Sequence, residues 1–154
     1  MLKYTETEVV FKEVPDEIAL AINISGCPCR CPGCHSTHLW EDIGYELNEE
    51  SIRSLIGKNK GISCISFMGG DASPEEINNL AKFIKSSYPK LKVSWYSGKT
   101  TISDLINLDN FDYIKIGPYV KELGGLDSPT TNQIFYKVSN KKLIDITERF
   151  KNKL

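Results

Sequence analysis

The chain has 154 residues, 40% of them hydrophobic and 25% charged, and these proportions are ordinary for a folded protein, so we expect residues 1–154 to form a single domain. Its 19 Lys and Arg against 20 Asp and Glu give a formal net charge of −1, which argues against a nucleic-acid-binding surface. The first residues lack the apolar core of a signal peptide, and no apolar run approaches the length of a membrane span. We therefore predict no membrane contact and a cytoplasmic location.

The first half of the chain contains two predicted strands and a helix. Residues 18–24 form a continuous apolar run, which is typical of a strand buried on both faces of a parallel sheet. The spacing of apolar residues predicts a helix over Glu49–Lys58, with Asn48 as its N-cap. A second buried strand is predicted at Ile62–Phe67, and it ends in a glycine pair.

A second helix is predicted immediately after that glycine pair. Ser73 is its expected N-cap, Pro74 occupies its first position, and Glu76 is expected to complete a capping box. Further strands are predicted at residues 91–97, within residues 110–118 and at residues 133–138, and an amphipathic helix is predicted at residues 141–153.

Strands that alternate with helices predict an α/β fold built from βα units around a parallel sheet. A complete (β/α) barrel needs about 250 residues, so this chain has room for only part of one. In such folds the functional loops follow the C-terminal ends of the strands. Four segments occupy those positions: the cysteine-rich residues 25–40, MGGD at 68–71, YSGK at 96–99 and KIGPY at 115–119. We therefore expect an active site at that edge of the sheet.

Four of the five cysteines, Cys27, Cys29, Cys31 and Cys34, lie in one short segment. Disulfides rarely persist in a reducing cytosol, and bridges within so short a loop would connect nothing distant. Structural zinc sites usually take two pairs of ligands separated by a dozen or more residues. Downstream of this segment the chain offers only Cys64, which we interpret as a small core residue. Disulfides are thus disfavoured, and zinc remains an alternative.

Two further hypotheses concern the same segment. Residues 31–35 match C-x-x-C-H, the attachment motif of c-type haem, but haem is attached outside the cytosol and no export signal is present. Cys27, Cys31 and Cys34 are spaced C-x3-C-x2-C, and three thiolates suit a 4Fe-4S cluster whose fourth iron stays open to a substrate. We favour the iron–sulfur cluster and interpret Cys29 as a thiol that is not a ligand.

The C-x3-C-x2-C triplet directly after a first buried strand resembles the radical S-adenosylmethionine (radical SAM) superfamily. MGGD resembles the second-strand Gly-Gly-Glu motif of that superfamily, whose backbone binds the amino group of SAM. The closer resemblance is to the small activating enzymes of anaerobic ribonucleotide reductase, and it covers about residues 18–138. Five segments carry it: SGCPCRCPGCHS, FMGGDASPEEI, VSWYSGK, FDYIKIGPY and LDSPTTNQIFYKV. The resemblance implies a partial (β/α) barrel of the radical SAM type.

The same resemblance implies the residues of the site. The 4Fe-4S cluster would be bound by the three cysteines of the triplet. SAM would be bound by residues from several loops: Gly33, Cys34, His35, Gly69, Gly70, Asp71, Ser97 and Lys115. Asp71 stands where the superfamily has a longer glutamate. Lys115 would pair with the SAM carboxylate, supported by Asp112, whereas its alternation with isoleucines is equally typical of a solvated lysine. Tyr96 and Ser97 are expected to line the methionine or ribose pocket, and a plain turn explains the YSGK segment equally well.

The activity implied is that of an activase, which cleaves SAM reductively and uses the 5′-deoxyadenosyl radical to generate a glycyl radical on another protein. The implied partners are the large subunit of anaerobic ribonucleotide reductase and a one-electron donor such as a flavodoxin or a ferredoxin. The polar, glycine-containing segment Val120–Gln133 suits either a surface facing that partner or an ordinary connecting loop. Two alternatives remain: an activase of another glycyl radical enzyme such as pyruvate formate-lyase, and a non-catalytic metal-binding module.

Overall fold

A computed structural model describes residues 2–26 and 44–151, which form one eight-stranded sheet with flanking helices. The elements are, in chain order, β1 (Lys3–Val10), β2 (Ala19–Ile24), β3 (Tyr45–Glu46), α1 (Glu49–Lys58), β4 (Cys64–Met68), α2 (Pro74–Ser87), β5 (Lys92–Tyr96), a 3-10 helix (Leu108–Asn110), β6 (Tyr113–Ile116), β7 (Ile134–Ser139), β8 (Lys142–Asp145) and α3 (Glu148–Lys151). The strand order is β3-β1-β2-β4-β5-β6-β7-β8.

The α/β class is confirmed, but the expectation of an all-parallel sheet is wrong. The central strands β2, β4, β5 and β6 are parallel, whereas the flanking strands β3, β1, β7 and β8 are antiparallel to their neighbours. The sequence analysis missed β1, although the alternating KYTETEVV pattern of Lys3–Val10 is typical of a half-buried strand. Within the described residues the sheet is open, with β3 and β8 at its two ends.

The N-terminus of α1 follows the prediction, and that of α2 follows it in part. The Asn48 side chain accepts a hydrogen bond from the Ser51 amide at 2.9 Å, and the Ser51 hydroxyl accepts one from the Asn48 amide at 2.9 Å. Ser73 precedes α2 as predicted, but its side chain makes no cap hydrogen bond, so the expected capping box is absent. Glu76 instead accepts a hydrogen bond from the backbone amide of Leu2 at 3.3 Å, a partner distant in sequence.

The two faces of the sheet are covered differently. Helices α1 and α2 pack their apolar residues on one face, against buried side chains such as Leu20, Phe67 and Trp95, and this forms the main core. The opposite face carries a smaller cluster: Val14, Ala19, Cys64, Tyr113 and Phe135. None of the helices in the described part of the chain has the length and apolar character needed to cross a bilayer.

The predicted C-terminal helix over residues 141–153 is wrong for most of its length. Residues 142–145 form β8, which pairs with β7 so that Ser139 lies opposite Lys142. Asn140 and Lys141 have φ of 50° and 64°, the left-handed conformation that two-residue hairpin turns require. This turn directs the chain back along the edge of the sheet, and the short α3 begins only at Glu148.

The hairpin turn predicts that a glycine at position 141 stabilises the protein. Lys141→Gly should raise the free energy of unfolding by about 0.5–1 kcal/mol, because glycine adopts a positive φ without the steric cost that other residues incur. The exposed ion pair of Lys141 with Asp109, at 3.4 Å, contributes little. The matched variant Lys142→Gly, inside β8, should lower the free energy of unfolding instead. Urea unfolding of both variants checks this, and destabilisation by both would favour the helix.

Candidate functional site

The parallel strands bring the predicted loops to one edge of the sheet. Asn23, Met68, Tyr96 and Lys115 lie side by side near the ends of β2, β4, β5 and β6. We call the loops that follow these positions the C-terminal edge. The MGGD, YSGK and KIGPY segments therefore meet as predicted. Residues 25–40, which we call the cysteine segment, begin directly after β2 at this edge. The cluster ligands and SAM contacts predicted within it lie outside the described residues: Cys27, Cys31, Gly33, Cys34 and His35.

The glycine pair after β4 is required by the local fold. Gly69 and Gly70 have φ of 111° and 90°, values that side chains rarely permit. A Cβ added to Gly70 would lie 2.6 Å from Cδ1 of Ile77 in α2. Both backbone groups of Gly69 have protein partners: its amide donates to the Tyr96 carbonyl at 3.0 Å, and its carbonyl accepts from Trp95 Nε1 at 2.7 Å. The turn explains both glycines, and their role in binding SAM stays a prediction.

Trp95 is a site-organising residue that the sequence analysis did not single out. Its ring is 1% exposed in the main core, and its indole donor fixes the carbonyl of Gly69. Buried tryptophans usually find such a partner for the N–H group. The sequence offered one signal for this role: a tryptophan two residues before Ser97, in the predicted strand that becomes β5 and pairs with β4.

Asp71 and Ser97, both predicted site residues, are in direct contact. Ser97 Oγ donates to Asp71 Oδ1 at 2.5 Å, and the Gly98 amide donates to Asp71 Oδ2 at 2.8 Å. Asp71 is 8% exposed and Ser97 1% exposed. Short hydrogen bonds to a carboxylate in such a setting are strong, because charge assists them and little water competes. The carboxylate thus connects the loop after β4 to the loop after β5.

Lys115 is buried, so the hypothesis of a solvated lysine is wrong. Its side chain is on the face opposite α1 and α2, and its Nζ donates to the Gly117 carbonyl at 2.8 Å and to the Ser97 carbonyl at 3.2 Å. The Nζ also lies 5.8 Å from the centre of the Tyr96 ring. A buried cation needs such polar partners to offset the loss of water. The structure therefore places a positive charge at the C-terminal edge.

Asp112 does not support Lys115, which corrects that expectation. It precedes β6, at the opposite edge of the sheet, and its Oδ2 accepts hydrogen bonds from Lys85 Nζ at 2.8 Å and from the Val93 amide at 2.9 Å. Asp112 therefore belongs to the edge opposite the one that bears Lys115.

Tyr96 points away from solvent toward the smaller core. Its hydroxyl donates to the carbonyl of Glu13, and its ring contacts that of Phe135 edge-on with centroids 5.9 Å apart. Burial raises the pKa of Tyr96 well above its ordinary value, and the nearby Glu13 carboxylate adds to that effect. The phenol therefore stays protonated, and the side chain beside Lys115 is uncharged.

Cys64 is a core residue, as predicted. It begins β4, is fully buried and lies opposite Ala19 in β2. The cysteine segment leaves β2 beyond Ile24, five residues further along, which corresponds to about 17 Å at the rise of a strand. Burial raises the pKa of the Cys64 thiol strongly, with the Glu17 carboxylate as a second cause, so the thiol stays neutral. In the described residues no group of three or more His, Cys, Asp or Glu is placed to bind a metal ion.

Comparison with known proteins identifies the family. Residues 18–125 match the profile of a family described as "4Fe-4S single cluster domain". The chain is also 32% identical over 108 residues to 7-carboxy-7-deazaguanine synthase from Escherichia coli strain K12, and to the proteins of that name from E. coli O157:H7 and Shigella flexneri. The alignment covers 70% of this chain but 44% of each synthase, so the chain spans less than half the length of these relatives. No solved structure gives a significant match.

The family match covers the parts of the chain from which the site is built. It begins at the start of β2 and continues beyond β6, so it includes the cysteine segment and the three described loops of the C-terminal edge. Together with the synthase relatives it supports an iron–sulfur protein of the radical SAM type, with a 4Fe-4S cluster as cofactor, and it selects no particular activase. The chain belongs to the 4Fe-4S single cluster domain family.

Proposed function

We propose that this protein is a radical SAM activase that generates a glycyl radical on anaerobic ribonucleotide reductase. The observation that carries the proposal is the meeting of the MGGD, YSGK and KIGPY segments at the edge where the cysteine segment leaves β2. A family match to a 4Fe-4S domain covers that whole arrangement. The choice of the reductase as partner comes from the motif resemblance over residues 18–138.

The residues present fit a cluster and SAM. Cys27, Cys31 and Cys34 offer the three thiolates that a 4Fe-4S cluster with one open iron requires. A bound cluster would supply the electron that breaks the S–C5′ bond of SAM, giving methionine and a 5′-deoxyadenosyl radical, and that radical would remove a hydrogen atom from a glycine of the partner. The protein's contribution is to bind, orient and shield these reactants.

Lys115 is the described residue best suited to orient SAM. Its ammonium group is buried at the C-terminal edge, where a carboxylate would be attracted more strongly than in water. The backbone at Gly69 and Gly70 carries no Cβ, which permits a ligand to approach closely. The backbone of Gly33, Cys34 and His35 is proposed to contact the adenine.

The proposal also accounts for the two unequal faces of the sheet. In a partial (β/α) barrel of the radical SAM type, helices cover the outer face and the reaction takes place at the inner one. Helices α1 and α2 cover only one face here, and Lys115 points to the other. We infer that β2, β4, β5 and β6 form part of such a barrel and that the face bearing Lys115 is its interior.

The segment Val120–Gln133 is proposed to face the partner protein. The loop is ordered by its own side chains, because Ser128 Oγ and Thr130 Oγ1 both donate to the Leu123 carbonyl, at 2.7 Å and 2.8 Å. It joins β6 to β7 beside Lys115, so it borders the proposed interior. A preformed loop of this kind loses little conformational entropy on binding.

A second candidate function is radical chemistry on a small molecule. The 32% identity to proteins named 7-carboxy-7-deazaguanine synthase favours it, since those relatives are named for a deazaguanine compound rather than for a protein substrate. The two candidates share the cluster and SAM, and they differ in what the radical attacks.

We expect the reconstituted protein to cleave SAM. After anaerobic loading with iron and sulfide and reduction with dithionite, the wild type should form 5′-deoxyadenosine from SAM, measured by chromatography. Cys31→Ala should lose the cluster and this activity, because it removes one of three ligands. Cys64→Ala is the matched control and should keep the iron content and the activity, because Cys64 lies at the opposite edge. A protein that binds zinc, assembles no cluster and leaves SAM intact would instead be a structural metal module.

The same preparation tests the partner. Incubated with SAM and the large subunit of anaerobic ribonucleotide reductase, it should produce a glycyl radical signal in electron paramagnetic resonance, and a subunit whose radical glycine is replaced by alanine should give none. A signal on pyruvate formate-lyase and not on the reductase would move the activity to that enzyme. SAM cleavage without a radical on either protein would favour a small-molecule substrate.

Lys115 gives a prediction about binding alone. Lys115→Met should weaken SAM binding by about tenfold to a hundredfold, because a buried charge-assisted contact is lost while the side-chain length is kept. The dissociation constant is measured on the oxidised, cluster-loaded protein without reductant. Lys85→Met is the matched control, since Lys85 pairs with Asp112 at the other edge and its loss should leave SAM binding unchanged. Equal affinity of wild type and Lys115→Met would contradict the role of Lys115.

A further inference from the structure

We propose that Asp71 is a positioning residue, whose carboxylate fixes the YSGK segment, Tyr96–Lys99, in the place from which that segment contacts SAM. The identity of the ligand rests on the proposed function. The fixing of the segment by the carboxylate does not, and it is tested separately below.

The first support is that one carboxylate engages both the side chain and the backbone of the segment. Asp71 Oδ1 accepts from Ser97 Oγ at 2.5 Å, and Asp71 Oδ2 accepts from the Gly98 amide at 2.8 Å. Two hydrogen bonds to neighbouring residues restrict the segment far more than one bond does. Asp71 and Ser97 are both buried, so water does not replace these contacts at low cost.

The second support is that the contact continues to Lys115. Ser97 Oγ, fixed by Asp71, accepts from the Lys99 amide at 3.1 Å, and the Ser97 carbonyl accepts from Lys115 Nζ at 3.2 Å. Backbone bonds complete the connection, because the Ser97 amide donates to the Lys115 carbonyl at 2.8 Å and the Gly117 amide donates to the Lys99 carbonyl at 2.7 Å. Asp71 thus acts on the cation at the edge through the segment that lies between them.

The third support is the length of the side chain. The left-handed turn at Gly69 and Gly70 directs the following residue toward the loop after β5, within reach of an aspartate. A glutamate, which the superfamily motif has at this position, would carry its carboxyl group one methylene further. To form both bonds it would have to fold back in a bent rotamer or displace the YSGK segment. The geometry therefore accounts for the aspartate in terms of this segment.

Hydrogen exchange of the cluster-loaded full chain tests the fixing of the segment without SAM. Asp71→Ala, and the milder Asp71→Asn, should speed exchange of the amides of residues 97–99 about tenfold or more, and amides within α2 should keep the wild-type rate. The control is Asp145→Ala, because Asp145 also accepts from a hydroxyl and from a backbone amide, those of Thr147, at 2.6 Å and 2.9 Å. It should speed exchange near Thr147 only. Unchanged exchange at residues 97–99 in both Asp71 variants would overturn the proposal.

SAM binding by a double-mutant cycle tests how Asp71 acts. Asp71→Ala and Ser97→Ala should each weaken SAM binding about tenfold at unchanged iron content, and the double variant should be little weaker than either, because both remove the same contact. A double variant that binds SAM about a hundredfold more weakly than the wild type, the product of the two single effects, would mean that Asp71 contacts SAM independently of Ser97. That result would overturn a purely positioning role. A wild type that loads its cluster but binds no SAM would refute the proposed function, and hydrogen exchange would then decide the role of Asp71 by itself.

Discussion

The pairing of four parallel strands is the constraint on which the rest of this structure depends. Because β2, β4, β5 and β6 run in the same direction and in register, Asn23, Met68, Tyr96 and Lys115 lie side by side, and the loops that follow them share one edge. The apolar contacts of α1 and α2 maintain this register, since a shift by one residue would turn every buried side chain to the wrong face. Chemical groups far apart in the sequence thereby become neighbours.

Two opposite charges at this edge are connected by a single short segment. The carboxylate of Asp71 accepts from the Ser97 hydroxyl, and the ammonium of Lys115 donates to the Ser97 carbonyl, so Ser97 lies between a buried anion and a buried cation. Each charge has the hydrogen bonds that burial demands. The segment therefore keeps the two charges apart and fixes the orientation of each.

The sequence predicted those features that local patterns determine. The boundaries of α1 and its Asn48 cap were correct because a capping box uses residues three apart. The predictions failed where a distant partner decides: Glu76 accepts from the Leu2 amide and no capping box forms, and Asp112 binds Lys85 rather than Lys115. The C-terminal hairpin was missed because Asn140 and Lys141, without a glycine, give a weak turn signal. At the candidate site, motif resemblance indicated Asp71, Ser97 and Lys115, but the contacts among these three residues come from tertiary structure.

The family match divides the chain into a part that carries the loops of the C-terminal edge and parts that lie beside them. The family match, residues 18–125, contains the cysteine segment and the described loops of the C-terminal edge. Outside it lie β1, the segment before β2 and everything from residue 126 onward, which includes β7, β8 and α3. These parts border the face that bears Lys115: Glu13 accepts from Tyr96, Arg149 pairs with Asp16 at 2.5 Å, and the Phe150 ring contacts that of Phe135. The matched part thus carries the loops of the C-terminal edge, and the elements outside it pack beside the face that bears Lys115.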